Sequence, residues 1–344
     1  MNKKWKKLLI IALAGTLAMF ITACGSSDES DSSESAELES LTLQSLWVPQ
    51  GQFAGVYVAQ EKGYYEEEGI DLEILPGGTD VSSEDQVQND VAQIGTAFYS
   101  SVLTYQEAGE DFVNIFQTFK ESPQYLVSKK SSGIESPKDL KNKKVANWFG
   151  GREYELYALA ELNGLNHETD IEWVQQDYTE DQLDNDEVDV ASAMSYNEYL
   201  LLLEDYGYSE DDLNVLNMNA EGSAMLEDCL FVKKSWAEEN EDLLVRFIRA
   251  TIKGWKYAAE NPEEAGQIVY DAGDQTSTLE HQVAMVKAAA ALVIPEGSDA
   301  SNIGELDETA LQQTIDLGYQ TGLISEKIEL ADSVDASYWE KAVE

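Results

Sequence analysis

Leu41-Thr42-Leu43-Gln44-Ser45-Leu46-Trp47 alternates apolar and polar side chains, and Val48-Pro49-Gln50-Gly51 ends the run. Alternation with period two predicts a strand with Leu41, Leu43 and Trp47 on one face. Residues 53–62 then place Val56 and Gln60 one helical turn apart and stop at Gly63, and a second short turn over 64–68 stops at Gly69. Residues 70–75 alternate again, and Pro76-Gly77-Gly78 closes them. Strand, helix, strand at this spacing predicts parallel pairing, because a parallel neighbour needs a long crossover and a helix supplies it.

Working outward, the same pattern predicts a helix over 81–90, a strand over 91–98, a helix through Val102, Leu103 and Tyr105, and a strand over 112–119. It then starts afresh, with strands over 125–128, 144–147, 171–174 and 188–193. Helices fall between them at 138–140, behind Ser136-Pro137, at 154–163, ended by Gly164, and at 197–206. Residues 230–233 form a strand that returns toward the first half. Beyond it the chain reads as helical. Leu243, Leu244, Phe247, Ile248, Ile252 and Trp255 share one helical face, with Asn240 placed as N-cap. Pro262 opens the next helix, and 285–293 belongs to another. The expected fold class is α/β: two units, each a mainly parallel sheet flanked by helices. Ligands of open α/β sheets sit beyond the carboxyl ends of the strands, so two such lobes facing each other make a cleft that can close on a small molecule.

Charge and the N-terminus bound the setting. Lys3, Lys4, Lys6 and Lys7 precede an apolar run over 8–21, too short to cross ~30 Å of hydrocarbon as a permanent helix. It has the flanks of a signal peptide. Ile21-Thr22-Ala23-Cys24 resembles a bacterial lipobox, so a signal peptide over 1–23 and lipid on Cys24 are expected. Residues 24–40 then read as a disordered acidic tether, with seven serines and six acids between Gly25 and Ser40. No later stretch is apolar enough to span a bilayer. With 66 acids against 22 bases the net charge is −44; loss of the leader, which holds four lysines and no acid, takes it to −48. Acids spread over the whole length make a solvated surface, which excludes nucleic acid as a partner. Beyond Cys24 the single Cys229 allows neither an intrachain disulfide nor a cysteine metal cluster.

Trp47-Val48-Pro49 with Gly55, Tyr57, Ala59, Gly63-Tyr64-Tyr65 and Gly69-Ile70 resembles the opening of solute-binding proteins of ABC importers. The branch is the one that handles nitrate, sulfonates, taurine and pyrimidine precursors of thiamine. Asp90-Val91-Ala92-Gln93-Ile94-Gly95, the run from Ser136 to Val145 and the helical segment 235–257 fit the same family, over about residues 41–270. Trp148-Phe149-Gly150-Gly151-Arg152-Glu153-Tyr154 and Ala193-Met194-Ser195-Tyr196-Asn197-Glu198 resemble its thiamine-pyrimidine type and the flavin-precursor relatives. The resemblance implies a periplasmic-binding-protein type II fold with ligand in the interlobe cleft. Lobe I would be 41–122 plus 229–344 and lobe II 123–228. It implies a monomer that captures solute outside the cell and delivers it to a permease and its ATPase, with no catalysis and no cofactor. A eukaryotic branch of the fold makes the pyrimidine with histidines and a cysteine-rich motif; this chain has only His167 and His281 and no such cysteines.

Loops at the carboxyl ends of the predicted strands supply the candidate ligand contacts. They are Trp47 and Gln50; Thr96, Phe98 and Tyr99; Lys120, Ser122 and Gln124 at the crossing; Trp148, Phe149, Gly150, Gly151 and Glu153; Met194, Tyr196, Asn197 and Glu198; and Glu227 and Asp228 on the return. Flat rings stack on aromatic faces, and carboxylates and amides pair with ring nitrogens and an exocyclic amine. Gly150-Gly151 would let backbone N–H groups approach the ligand. Against these roles stand plainer ones: Trp47 as a cap on the core, Tyr196-Asn197-Glu198 as a helix start, and Glu227 and Asp228 as solvated acids. Trp236, Trp255 and Trp339 read as packing residues, and neither histidine has a second metal ligand at a useful spacing. An anion site would call on Lys120 or Arg152. The acidic field turns the expectation from an anion toward a neutral or weakly cationic heterocycle, and the resemblance implies a pyrimidine related to thiamine, with riboflavin, another flat heterocycle, or a sulfonate or nitrate as alternatives. An enzyme is the rival class, but G-x-S-x-G, H-E-x-x-H and P-loop motifs are absent. A membrane-bound sensor or adhesin would carry the same tether.

Overall fold

The computed structural model describes residues 38–344. The expected signal peptide, Cys24 and the tether up to residue 37 lie outside the described residues. The tether reading overran by two positions: Glu39 and Ser40 already pair with Ile70 and Asp71. Among the described residues no helix is long and apolar enough to cross a membrane.

Ten strands form two separate sheets. In the first, β1 (Glu39–Gln44), β2 (Ile70–Leu75), β3 (Ile94–Ala97), β4 (Phe112–Gln117) and β10 (Cys229–Lys233) lie in the order β2-β1-β3-β10-β4. In the second, β5 (Gln124–Lys129), β6 (Lys144–Asn147), β7 (Glu172–Gln175), β8 (Val190–Met194) and β9 (Leu213–Asn217) lie in the order β7-β6-β8-β5-β9. β10 is antiparallel to both of its neighbours, as is β5, and the other pairings are parallel. Each sheet is therefore mainly parallel, with one reversed strand. In both sheets that reversed strand is the one the chain enters on arriving from the other sheet.

In chain order the helices are α1 (Ala54–Glu61), α2 (Tyr64–Glu67), α3 (Ser83–Gln88), α4 (Tyr99–Glu107), α5 (Glu153–Leu162), α6 (Asp181–Asp184), α7 (Glu198–Glu204), α8 (Met218–Glu221), α9 (Lys234–Glu239), α10 (Glu241–Glu260), α11 (Pro262–Ala272), α12 (Leu279–Val293), α13 (Glu308–Thr321), α14 (Leu330–Ser333) and α15 (Ser337–Val343). The described residues, 38–344, pack as one compact unit around the two sheets. Leu41 and Leu43 of β1 are buried together with Phe247, Ile248 and Trp255 of α10 and with Met285 and Val286 of α12. Smaller cores over the second sheet gather Leu126, Val145, Leu156 and Leu216 on one face and Val127, Ala146, Ala191 and Leu202 on the other.

Two local expectations are corrected. Asn240 does stand before α10, but its side chain accepts no capping bond; its amide instead donates to the Trp236 carbonyl at 2.8 Å. β9 escapes the sequence pattern. It is a five-residue edge strand whose Val215 is exposed, it follows Glu210-Asp211-Asp212, and only pairing with distant β5 makes it a strand.

α1 and α10 cross at two glycines. A Cβ on Gly254 would stand 2.0 Å from the Gly55 carbonyl oxygen, and one on Gly55 would stand 2.3 Å from the Trp255 ring. The first obstacle is backbone and cannot rotate away. Gly254→Ala should therefore destabilise the fold by at least the ~1–3 kcal/mol of an overpacked core, despite the better helix propensity of alanine. Urea unfolding monitored by circular dichroism measures it; an unchanged midpoint would refute the contact.

Candidate functional site

The carboxyl ends of the parallel strands in both sheets converge on one cavity of about 240 Å³. From the first sheet, Leu46, Trp47, Gln50 and Gln52 follow β1 and Phe98 follows β3. From the second, Trp148 and Arg152 follow β6, Tyr178 follows β7, and Met194, Tyr196, Asn197 and Glu198 end or follow β8. Trp47, Trp148 and Tyr196 thus share one hollow. The walls touch across the gap: the Trp47 and Tyr178 rings lie 6.1 Å apart between centroids. The Arg152 guanidinium carbon lies 4.7 Å over the Phe98 ring and 5.8 Å over that of Trp148.

Local chemistry sets these side chains. Thr96 does not line the cavity; its hydroxyl accepts from the Leu46 N–H at 2.6 Å and pins the loop that carries Trp47. Gln50 donates to Gln52 at 2.6 Å, and Gln52 donates to both Asp228 oxygens at 2.9 and 2.8 Å. Asp228 therefore works from beneath the floor, with only 2% of its surface exposed. Trp148 is held by its indole N–H on the Asp177 carbonyl at 3.1 Å. Phe149, Gly150 and Gly151 take three successive left-handed conformations, at φ 56°, 71° and 105°. This turn re-aims the chain into α5, a conformation glycine accepts and phenylalanine resists.

Several expected contacts lie elsewhere. Tyr99 is buried beneath the first sheet, where its hydroxyl donates to Ser333 at 2.7 Å. Ser122 lies on the crossing: its hydroxyl accepts from the Gln124 N–H at 3.1 Å, and its backbone N–H and carbonyl are both bonded to Asn219. Phe149, Gly150 and Glu153 do not line the cavity. The Gly151 N–H is already committed to the Glu153 carboxylate at 2.8 Å, so that glycine offers no spare donor there. Lys120 is half-buried with its ammonium on the Glu305 carbonyl, and that burial lowers its pKa to about 8. Leu46, Gln52 and Tyr178 were not anticipated. Tyr178 follows the strand expected over 171–174 and could have been found as the aromatic of the loop after it, just as Gln52 could have been found as the polar neighbour of Gln50.

Among the described residues Arg152 is the one cation lining the cavity, and its Nε has no hydrogen-bond partner there. Carboxyls surround it. Glu155, Glu227 and Asp228 are buried close by, and Glu180 is buried beside Glu198. Burial pushes Asp228 up to about 7 and Glu155 and Glu180 up to about 8, and it raises Glu198 and Glu227. Glu198 is steadied by the Met194 N–H at 3.0 Å and the Asn197 amide at 2.6 Å. Neither Glu180 oxygen has a partner, nor does Glu227 Oε2. Among the described residues no group of three His, Cys, Asp or Glu is placed to hold a metal ion.

A raised carboxyl pKa means that the folded state binds more protons than the unfolded one. Its favourable contribution is complete below the unfolded pKa and is lost as pH rises through the folded value. Relative to Glu180→Gln, the wild type should therefore lose up to ~1.4 kcal/mol per pH unit between about pH 5 and 8. Paired urea titrations across that range check it, and parallel curves would show that Glu180 is ionised and solvated.

A family model described as "NMT1/THI5 like" matches residues 50–265, more than half of the chain. The riboflavin-binding protein RibY of Chloroflexus aurantiacus is 26% identical over 75% of this chain and 76% of its own length. A formylaminopyrimidine-binding protein of Halalkalibacterium halodurans is 22% identical over 79% and 81%. The crystal structure of the periplasmic aliphatic sulphonate binding protein SsuA from Escherichia coli superposes with a TM-score of 0.70 at 15% identity, over 89% of this chain and 99% of that one. That likeness establishes the two-lobed periplasmic-binding-protein fold.

Proposed function

The chain belongs to the NMT1/THI5-like family, and on that premise we propose that it is the extracytoplasmic solute-binding component of an ABC importer, capturing a pyrimidine related to thiamine. The observation that carries this reading is the cavity wall. Trp47, Phe98, Trp148, Tyr178 and Tyr196 come from the ends of both sheets, with Gln50, Gln52, Asn197 and Glu198 between them. Flat faces stack a ring, and the amides and the carboxylate meet its nitrogens and an amine. The volume, about 240 Å³, is below the ~300–1,000 Å³ usual for larger ligands, which favours one ring over several. Buried carboxyls outnumber the single guanidinium, which favours a neutral or cationic, donor-rich solute. The relative that binds formylaminopyrimidine supports the same class.

A second reading keeps the importer role and changes the solute to a sulfonate-type anion. It is favoured by Arg152, whose Nε is buried without a partner at the cavity wall. Riboflavin, the ligand in the name of another relative, is the further alternative. Catalysis is not part of the proposal. Among the described residues no His, Lys or Cys lines the cavity, and the oxygens of its one lining carboxylate are held by Met194 and Asn197. In this reading the protein works as a monomer, anchored by lipid on Cys24 at the outer face of the membrane, with lobe I at 41–122 plus 229–344 and lobe II at 123–228. The membership of the two sheets supports that division. The closed form would dock on the permease.

A thermal-shift panel of aminopyrimidines, riboflavin and alkanesulfonates tests the solute, because a tight ligand raises the melting point by mass action. An aminopyrimidine should raise it and a sulfonate should not; the reverse result refutes the pyrimidine. Trp148→Ala should weaken the aminopyrimidine about tenfold or more, from lost stacking and burial, with little change in the melting point of the free protein. Loss of folding instead would make Trp148 a core residue.

A further inference from the structure

His281 is one of two histidines in the chain, and it lies outside the cavity lining. It stands in the first turn of α12, which packs in the core of the first sheet through Met285, Val286 and Ala289. Its ring reaches the other lobe. Nε2 lies 2.9 Å from Asn197 Oδ1, just before α7, and Nδ1 lies 2.8 Å from the Glu204 carboxylate at the end of α7. The Asn197 orientation is set by chemistry: its amide nitrogen donates to the Glu198 carboxylate at 2.6 Å, leaving the carbonyl oxygen for the histidine. Both ring nitrogens thus face oxygen atoms, one at each end of α7. The residue is 4% exposed.

The next residue grips the opposite wall. Gln282 Oε1 accepts from the Gly51 N–H at 2.8 Å, in the loop that carries Gln50 and Gln52. A Cβ on Gly51 would stand 2.7 Å from the Val286 backbone nitrogen, so that loop lies directly on α12. Consecutive side chains at the start of one helix therefore hold the first-sheet loop and the second-sheet helix that together wall the cavity. This tie is separate from the two places where the chain itself crosses between the sheets.

We propose that His281 is a positioning residue and clasp for the solute site: it orients Asn197, and through it Glu198, and holds the second lobe against the first over the cavity. The proposal rests on the reading of this cavity as a solute site, and its test requires no solute. Trp47 and Trp148 line the cavity, so opening exposes them to a soluble quencher.

Acrylamide quenching of tryptophan emission is measured on the ligand-free protein as wild type, His281→Ala, Glu204→Ala and the double variant, with circular dichroism confirming the fold of each. Removing a hydrogen bond to a charged group should shift the open-to-closed ratio about tenfold or more. Quenching should therefore rise in His281→Ala, rise less in Glu204→Ala, and rise no further in the double variant. Small-angle scattering should show a larger radius of gyration for His281→Ala. Unchanged quenching in both folded single variants, or additive effects in the double variant, overturns the clasp. Should His281→Ala not fold, Glu204→Ala decides, since Glu204 is exposed and outside the cavity. If the variants open as expected while the solute panel stays blank, the solute reading fails and the clasp stands. A melting shift with unchanged quenching is the converse.

Discussion

The chain changes sheets twice, and on each arrival it enters against the direction of its new neighbours. β4 ends at Gln117 and β5 begins at Gln124; β9 ends at Asn217 and β10 begins at Cys229. Because β5 and β10 are antiparallel to the strands beside them, both crossings leave and arrive at the carboxyl ends of the parallel strands. Two sheets joined twice at those ends must present those ends to each other. The cavity, its paired aromatic walls and the hinge-like Ser122–Asn219 hydrogen bonds all follow from that constraint.

An acidic chain makes the interior of this junction unusual. A solvated surface carboxylate costs little, but Glu155, Glu180, Glu227 and Asp228 are withdrawn from water where the two halves meet. Desolvation is the leading cause of the raised pKa at each; Glu155, Glu180 and Asp228, pushed up to about 7 or 8, sit near neutrality between charged acceptor and neutral donor, and Glu227 is raised by burial and by Glu155 beside it. Arg152 relieves part of that burden at Glu227 and Asp228. It leans on Phe98 and Trp148, where a guanidinium gains from the ring faces. One cation thus serves both the electrostatics and the packing of the wall.

Much of the candidate site was legible because strand ends are legible. Trp47, Phe98, Trp148 and Met194 follow or close runs whose alternation or apolar character marks a strand, and each meets the cavity. The loops that failed did so for one reason: a loop's position in the chain says which end of the sheet it occupies, not which way each side chain turns. Tyr99 follows Phe98 directly, yet it opens α4 and points into the core toward Ser333. Asp228 is held under the floor by Gln52, a partner 176 residues away in the sequence. β9 carries too little local pattern to be found at all.

Sequence by itself determined the α/β alternation, the mainly parallel pairing, the long apolar face of α10 and the acidic character, because periodicity and charge are local properties of the chain. Tertiary structure alone decided which aromatics face one another across the gap, which carboxyls lose their water, and that His281 bridges to Asn197 and Glu204. These depend on distances between residues tens to hundreds of positions apart, set only when two sheets close on each other.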